Sequence, residues 1–265
     1  MLMERRAEMD DHAAEVSSLQ FSVSLAKSPE DILAAQRLRY EVFALECGAD
    51  LSSRDEGVDR DEFDEYCEHL IVRNVATDDV VGTYRILTSW RAKDIGAFYS
   101  ENEFDIGNLK PLVPRLVEVG RSCIREGYRQ GSIITLLWSG LAQFMMTRGY
   151  EYLMGCASIQ LDAGVRHASA AYLGVKERCL CPNHWRVYPR TPFTVEPAEP
   201  MSVGALPPLI KGYVRLGAYV CGEPAWDRQF NCADLLMLLP LSHMNPRYAR
   251  HFMGQTCVPT ISSAA

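Results

Sequence analysis

The segment 116–124 contains the residues with the clearest capacity for chemistry in this chain. Glu118 is an ionisable group in the otherwise apolar stretch 116–119. A single carboxylate placed there could act as a general base toward an α-ammonium group, whose pKa of about 8 makes loss of a proton near neutrality a modest task. A structural ion pair of Glu118 with Arg121 or Arg85 carries equal weight.

The spacing of Glu118 and Arg121 decides whether the two side chains can act together. Strict alternation along a strand places them on opposite faces. A bulge at Gly120 would bring them to one face and would free a backbone N–H to stabilise an oxyanion. We therefore predict that Glu118, Gly120 and Arg121 form the catalytic group.

A glycine-containing loop follows this segment and leads into a strongly apolar helix over 132–146. The free N–H groups at the start of such a helix, at the positive end of its dipole, bind phosphate well. Arg121, Arg125 and Arg129 lie on the approach to the loop. On these residues alone, the favoured interpretation is an ordinary strand-to-helix turn with solvated arginines.

The bulk composition is that of an ordinary globular protein. The chain has 265 residues, a hydrophobic fraction of 48%, a charged fraction of 23% and a net charge of −7. The negative charge argues against nucleic acid as the main partner, and no apolar stretch approaches the ~20 residues that span a bilayer. The nine cysteines form no CxxC pair and follow no secretory segment, which indicates reduced thiols in a cytoplasm.

Several cysteines and one histidine raise minor alternatives. Cys123 and Cys156 stand near the predicted reaction site, so a covalent intermediate on a cysteine is conceivable, although direct attack by an amine needs none. A zinc site could be built from Cys179, Cys181 and His184, but a fourth ligand is not evident, and we expect no metal. His69 begins an apolar strand and is expected to be a structural histidine.

The order of predicted elements indicates an α/β or α+β fold with a mixed sheet. A short strand at 21–25 precedes a helix that begins at Ser28-Pro29 with a capping serine. After the charged loop 54–66, the pattern predicts these elements in order: strands 69–73 and 80–87, an insert containing Pro111 and Pro114, strand 115–124, helix 132–146, strand 150–158, a helix that opens at 206–212, and strands 218–221 and 234–239. We expect one domain at 21–252, with 200–252 as its C-terminal extension, between flexible tails at 1–20 and 253–265.

The order of elements and the loop Tyr128–Gly131 resemble the GNAT acyltransferase superfamily. The resemblance implies a mixed, mostly antiparallel central sheet flanked by helices. It also implies that the loop cradles the pyrophosphate or phosphopantetheine of an acyl donor. The residues assigned to donor binding are Ser122, Cys123, Ile124, Arg129, Gly131 and Ser132.

A further series of motifs is similar to acyl-homoserine-lactone synthases, GNAT-like enzymes that take their acyl group from acyl carrier protein. The shared motifs are Arg39–Phe43, Asp61–Asp64, His69–Leu70, Gly82–Arg85 and Glu118–Arg121. Those synthases carry a tryptophan where Glu46-Cys47-Gly48 stands here, and they are shorter than this chain.

The closer resemblance is to the ornithine–acyl-carrier-protein N-acyltransferases of bacterial ornithine-lipid synthesis, over roughly 25–252. The motifs that carry it are Glu118–Ile124, Leu137–Ala142, Gly155–Ser158, Val220–Ala225 and Asn231–Leu236. The resemblance implies transfer of a 3-hydroxy fatty acyl group from acyl carrier protein to the α-amine of ornithine. The amine would attack the thioester directly, and the product would be a lyso-ornithine lipid.

With ornithine as the acceptor, this resemblance also suggests the acceptor site. The ornithine side-chain ammonium, with a pKa near the lysine value of about 10.4, stays charged and requires a carboxylate. Asp61 and Asp64, on either side of Phe63 in the acidic loop, are predicted to supply it. Arg39 and Arg85 are predicted to bind the acceptor carboxylate, although either could equally be an internal clamp on the acidic loop.

The implied protein partner is acyl carrier protein, whose 4′-phosphopantetheine arm is the only cofactor expected. Because that partner is acidic, its docking face should be basic and the association salt-sensitive. The candidate docking residues are Arg121, Arg125, Arg129, Arg148, Arg166, Lys211 and Arg215. Because the product is a lipid, we expect a cytoplasmic protein with room for peripheral contact at the inner membrane face.

Three other functions stay open. The first is an N-acyl amino acid synthase with glycine, tyrosine or glutamine as acceptor. The second is an acyl-homoserine-lactone synthase that uses S-adenosylmethionine, which the missing tryptophan and the long C-terminal part oppose. The third is a non-catalytic domain that only binds acyl carrier protein, which the presence of Glu118 and Arg121 opposes.

Overall fold

The protein is described by a computed structural model over residues 20–129 and 131–245. Its strands are β1 Phe21–Leu25, β2 Glu68–Asn74, β3 Val80–Thr88, β4 Phe104–Asp105, β5 Leu116–Ile124, β6 Tyr152–Gln160, β7 Tyr188–Pro189, β8 Tyr219–Val220, β9 Ala225–Asp227 and β10 Cys232–Pro240. Eight of them form one sheet in the order β1-β2-β3-β5-β6-β10-β8, with β9 beside β10. A separate pair joins β4 to β7.

The sheet is antiparallel at every described pairing except one. The exception is the parallel pair of β5 and β6 near its centre. All nine residues of β3 and all nine of β10 are buried, which fits their interior places in the order. The predicted mixed, mostly antiparallel sheet is confirmed.

Helices cover the two faces of this sheet. The α-helices of the described ranges are α1 Pro29–Tyr40, α2 Ser89–Ile95, α3 Ser132–Arg148, α4 Val165–Cys179 and α5 Pro208–Leu216. The sequence signals at the start of α1 act as predicted, because the Ser28 hydroxyl accepts a hydrogen bond from the Asp31 N–H at 3.2 Å. Gly149, at φ 73°, ends α3 in the left-handed conformation that glycine adopts without strain.

Two apolar layers hold the sheet between them. On one side Ile133, Leu137 and Phe144 of α3 join the largest buried cluster. The other layer includes Phe104 and Leu109 from the insert between β3 and β5. The insert is built largely of short 3₁₀ turns, and the one at Tyr99–Asn102 lies close to the functional site described below.

The predicted strands and helices are present in the structure. Helix α4 was not predicted, although Ala168, Ala171 and Val175 are buried at helical spacing. The short strands β4, β7 and β9 were not predicted either. The predicted extension 200–252 is an integral part of the sheet, because β10 pairs with β6 over nine residues. The predicted tails lie outside the described residues apart from Gln20. None of the helices in the described ranges combines the length and the apolar character needed to cross a bilayer.

Candidate active site

The parallel strands β5 and β6 separate along their length and open a cleft. Their pairing covers only Leu116 to Glu118 on β5. Just beyond it, a Cβ added to Gly155 of β6 would lie 2.2 Å from the carbonyl oxygen of Val119. The two backbones therefore meet as closely as glycine permits and then diverge.

A β-bulge lies on β5 at the edge of this cleft. Thr83 pairs with Cys123 and Arg85 with Gly120, so Arg121 and Ser122 together stand opposite the single residue Tyr84. Arg121 has a φ of 50°, an uncommon value for a residue with a side chain. The predicted bulge is therefore present, but it lies one residue after Gly120, at Arg121 and Ser122.

The cleft contains a small cavity of about 220 Å³, which we call the inner chamber. Glu118, Gly120 and Arg121, the three residues of the predicted catalytic group, all line it. The bulge brings Glu118 and Arg121 to the same side of the strand, as predicted, and both line the chamber. Tyr84 and Tyr213 also line the chamber.

Glu118 is held by the 3₁₀ turn that precedes β4. It is 3% exposed, and its carboxylate accepts hydrogen bonds from the Tyr99 N–H at 2.7 Å and the Ser100 N–H at 2.8 Å. The Ser100 hydroxyl also donates to it. Burial raises the pKa of Glu118, although these hydrogen bonds oppose the rise. The described residues form no ion pair between Glu118 and either Arg85 or Arg121, so that alternative is not realised.

Three arginines and three aspartates beside the chamber form a closed ring of ion pairs. Each arginine bridges two aspartates and each aspartate two arginines. The six contacts are Arg39–Asp59 at 2.9 Å, Arg39–Asp64 at 2.7 Å, Arg85–Asp61 at 2.6 Å, Arg85–Asp64 at 3.1 Å, Arg121–Asp59 at 3.1 Å and Arg121–Asp61 at 3.1 Å.

This ion-pair ring balances its own charges. Burial acts to raise the pKa of Asp64, but the neighbouring Arg39 and Arg85 outweigh it and hold that pKa well below its usual range. The Tyr99 ring lies 5.4 Å from the Arg85 guanidinium carbon and 4.8 Å from that of Arg121. Asp59, which completes the ring, was not singled out from the sequence.

The ring contains all four residues predicted to bind the acceptor. Arg85 lines the inner chamber, whereas Arg39 and Asp64 reach neither this chamber nor the two cavities described next. Both Arg39 and Arg85 clamp the acidic loop, the alternative role that the sequence left open. His69 is buried as a structural histidine, with its Nε2 at 3.2 Å from the Asp64 carbonyl oxygen.

An open cavity of about 420 Å³, the outer chamber, leads from the solvent to the inner one. Tyr99, Arg121 and Asp227 line both cavities, so they mark the passage between them. The outer chamber carries more acidic than basic side chains. The acids are Asp59, Asp61, Glu62, Glu103 and Asp227, and the bases are Arg60, Arg121 and Arg228.

On the other side of the splayed strands lies a groove of about 680 Å³ between the start of α3 and α5, which we call the α3–α5 groove. Five of the six residues predicted to bind the donor line it. These are Ser122, Cys123, Ile124, Arg129 and Gly131. Ser132 does not line the groove, although it begins α3 directly after the uncapped Gly131. Ser122 and Ser158 belong to both the groove and the inner chamber, so the two adjoin between β5 and β6.

The basic residues predicted to dock a carrier protein do not form one face. Arg121 is withdrawn into the ion-pair ring, with a side chain 9% exposed, because Asp59 and Asp61 bind it there. Arg148 ends α3 at the opposite end from the groove and pairs with Glu68. Arg129 and Arg215 line the groove, and Arg129 pairs with Glu46.

Two thiols lie beside the reaction site, Cys156 on the wall of the inner chamber and Cys123 on that of the α3–α5 groove. Burial raises the pKa of Cys123 and of Cys156, so both are protonated thiols with little nucleophilic character. Within the described ranges, two groups have the geometry for a metal ion: Glu103, Cys156 and Asp234, and Asp227, Cys232 and Asp234. The trio Cys179, Cys181 and His184 does not come together among the described residues.

Several residues of this site were not predicted from the sequence. Asp234 carried a usable signal, because it is a charged residue in an apolar strand, as Glu118 is. Tyr99, Ser100 and Glu103 carried none, because their roles depend on where a turn in an irregular insert meets β5.

Comparison with known proteins places this geometry in a class. The acetyltransferase (GNAT) domain matches residues 38–139. The AHL synthase LasI has the same fold, with a TM-score of 0.52 and 14% identity over 90% of this chain and 96% of that chain. The protein is therefore an acyltransferase of the GNAT fold.

Two curated relatives identify the family within this class. The L-ornithine Nα-acyltransferase of Rhodobacter capsulatus is 33% identical over 253 residues, which cover 88% of this chain and 95% of the relative. The enzyme of the same name from Rhizobium meliloti is 35% identical over 248 residues, covering 86% and 82%. The chain belongs to the L-ornithine Nα-acyltransferase family.

Proposed function

We propose that this protein transfers a 3-hydroxy fatty acyl group from acyl carrier protein to the α-amine of L-ornithine, giving lyso-ornithine lipid. The observation that carries this proposal is that the α3–α5 groove and the inner chamber share a wall at Ser122 and Ser158. A phosphopantetheine arm lying in the groove would bring its thioester to the splay between β5 and β6. An amino acid entering through the outer chamber would meet it from the opposite side.

The groove has the chemistry of a phosphopantetheine site. Gly131, at φ 100°, precedes α3 without a side-chain cap, and both it and Ile134 of the first helical turn line the groove. The first N–H groups of the helix are therefore suited to bind a phosphate there. Apolar residues such as Val42 and Leu216 line the same groove and suit an acyl chain or the pantetheine stem. The protein itself binds no cofactor in this proposal, because the pantetheine arrives on the carrier.

The reaction needs a neutral amine, a polarised thioester and a destination for one proton. The amine nitrogen attacks the thioester carbon, and the resulting oxyanion is stabilised by backbone N–H groups where β5 leaves β6. The C–S bond then breaks, and the pantetheine sulfur leaves. Glu118 accepts the proton from the nitrogen and returns it to the departing sulfur.

Glu118 suits this role by position and by ionisation. The pKa of Glu118 is raised above that of an ordinary glutamate, toward neutral pH, and therefore lies closer to the pKa of the amine. In this scheme Arg85 and Arg121, the ring arginines on the chamber wall, orient the acceptor's carboxylate, while Asp59, Asp61 and Asp64 fix those arginines. Each guanidinium has five N–H donors, more than its two aspartate contacts use. A lipid product formed at such a site is consistent with a cytoplasmic enzyme in peripheral contact with the membrane.

The test is product analysis with defined substrates. Purified protein is mixed with 3-hydroxyacyl carrier protein and a pool of the common amino acids plus ornithine, and lipid products are identified by mass spectrometry. We expect N-acyl ornithine as the main product, and its loss in Glu118→Gln. Another acylated amino acid would overturn the acceptor, and activity only with acyl-coenzyme A would overturn the carrier protein as donor.

A further inference from the structure

Two motifs that the proposed mechanism leaves unused meet on neighbouring strands. The β6–β10 register places Asp234 opposite Ser158 and Leu236 opposite Cys156. Glu103 reaches the same point from the turn that holds Glu118. One oxygen or sulfur atom from each of Glu103, Cys156 and Asp234 lies within 4.8 Å of the others.

The two carboxylates of this cluster lack the cationic partners that buried acids normally have. Both carboxylate oxygens of Glu103 are buried and accept no hydrogen bond from a described residue. Asp234 is 4% exposed, and its partners are neutral groups: the Cys232 thiol at 3.1 Å and the Ser158 hydroxyl. In the described part of the chain, no lysine, arginine or histidine pairs with either acid. Such a buried acid pair is stable only with a shared proton or a bound cation.

The pair faces the cavities through which an acceptor would pass. Asp234 lines the inner chamber and Glu103 lines the outer one. Burial and the neighbouring Asp234 raise the pKa of Glu103 to about 10, and burial raises that of Asp234. Glu103 and Asp234 therefore share a proton at neutral pH when no cation lies between them, and an entering cation would displace that proton.

The chemistry of the cluster favours an organic ammonium over a metal ion. Cysteine binds metals as a thiolate, and burial with the adjacent acids raises the pKa of Cys156 well above its usual value. A primary ammonium instead offers three N–H donors, enough for both carboxylates at once. Asp61 and Asp64, the acids predicted for this role, are each already paired with two arginines.

We propose that Glu103 and Asp234 form the subsite for the side-chain ammonium of the acceptor, and so select ornithine over neutral amino acids. This inference rests on the proposed function, because it deepens the account of the same acceptor. The Cys156 Sγ is 3.6 Å from the Ser100 Oγ, which donates to Glu118. Glu118 and the acid pair therefore lie close together, with Ser100 and Cys156 between them. The two ornithine nitrogens are also a short distance apart, five bonds or about 6 Å when extended.

The test compares ornithine with norvaline, the amino acid that has the same carbon chain and no side-chain amine. Steady-state kinetics are measured for the wild type, Glu103→Gln, Asp234→Asn and the control Glu223→Gln, which removes an acid whose partner is Lys176. We expect each chamber variant to lower kcat/KM for ornithine by about 100-fold while norvaline acylation stays near the wild-type level. The control should match the wild type for both substrates.

The outcomes separate this inference from the proposed function. A wild type that acylates no ornithine would overturn the proposed function itself. A wild type active on ornithine, with variants that keep the ornithine preference or lose both substrates equally while folded, would overturn the subsite alone. Loss of ornithine activity on chelation, restored by a divalent metal, would assign the cluster to a metal and overturn it as well.

A measurement on the wild type keeps the inference testable if the variants do not fold. Ornithine and norvaline are titrated into the protein by calorimetry at neutral pH in buffers of different ionisation enthalpy. We expect ornithine binding to release about one proton more than norvaline binding, because the ammonium displaces the shared proton. Equal proton release for the two ligands would overturn the subsite.

Discussion

Ser100 donates two hydrogen bonds to one oxygen of Glu118, from its backbone N–H and from its hydroxyl. The hydroxyl bond stabilises the charged carboxylate and opposes the rise of the Glu118 pKa that burial causes. Ser100→Ala removes that bond and keeps the backbone one. We expect the acidic limb of the kcat/KM–pH profile to move up by about one pH unit, because a hydrogen bond to a charged group contributes about 1.5 kcal/mol.

The matched control is Ser169→Ala, which removes a buried hydroxyl that donates to the Val165 carbonyl oxygen and accepts from the Glu196 N–H, and that lines none of the three cavities. Its pH profile should coincide with that of the wild type. An unchanged acidic limb in Ser100→Ala would mean that Glu118 is not the group whose deprotonation limits the reaction.

The ion-pair ring should dominate the response of the fold to loss of a single charge. Asp64→Asn leaves Arg39 and Arg85 each with one carboxylate in a buried setting, so we expect the free energy of unfolding to fall by about 3–5 kcal/mol. Arg60→Ala breaks an exposed pair with Glu56 and should cost less than about 1 kcal/mol. Urea unfolding followed by circular dichroism compares the two. Equal costs would show that the ring contributes no more than a surface pair.

The same carboxylate gives the fold a defined acid dependence. The pKa of Asp64 is lowered in the folded protein, so its contribution to stability is present above its unfolded pKa of about 3.9. That contribution is lost as pH falls through the folded pKa. The stability difference between wild type and Asp64→Asn, measured by urea midpoints, should therefore shrink from pH 6 to pH 3. A constant difference would contradict the lowered pKa.

The close approach of β5 and β6 predicts that alanine substitution of two glycines in the cleft changes stability to different extents. Gly155→Ala places a methyl group 2.2 Å from the Val119 carbonyl oxygen, so we expect a loss of about 1–3 kcal/mol in stability from the forced backbone shift. A Cβ at Gly120 meets no atom within 4 Å, so Gly120→Ala should leave thermal stability near that of the wild type. Similar melting temperatures for the two variants would contradict the geometry.

Docking of the acyl donor should depend on the rim of the α3–α5 groove. Arg215 is exposed and lines that groove. We expect Arg215→Glu to raise KM for acyl carrier protein about tenfold at low salt, since reversal of a rim charge weakens electrostatic steering. A small acyl thioester, which lacks the protein part, should be used equally well by the variant and the wild type.

The control for this prediction is Lys110→Glu, an exposed charge that lines none of the described cavities. It changes net charge by the same amount and should leave KM for the carrier near the wild-type value. Equal effects from Lys110 and Arg215 would point to overall charge instead of a dock in the groove.

The sequence predicted what depends on local pattern. The capping serine at Ser28 and the apolar run of α3 are encoded within a few residues, and the structure confirms both. The bulge was predicted one residue early because the sequence shows a permissive glycine but not the pairing with β3, which places the extra residue opposite Tyr84. Local sequence patterns thus predict the helices and strands, whereas the pairing register depends on the neighbouring strand.

The partners of the charged residues could not be predicted in the same way. The sequence allows two roles for Glu118, a general base or an ion pair with Arg121 or Arg85, because it shows the charges and not which groups meet. In the structure it accepts hydrogen bonds from Tyr99 and Ser100, about 18 residues away in the chain. The arginines are instead bound by Asp59, Asp61 and Asp64, an assignment that requires the path of the acidic loop across the sheet.

The inner chamber adjoins the α3–α5 groove on one side and the outer chamber on the other. In the proposed function the two substrates approach from opposite directions and would not compete for one entrance, so a docked carrier protein would leave the amino acid's route clear. A ternary complex would then form before any bond changes. Double-reciprocal plots for the two substrates would accordingly intersect, as in a sequential mechanism, and no acylated form of the protein would accumulate between them.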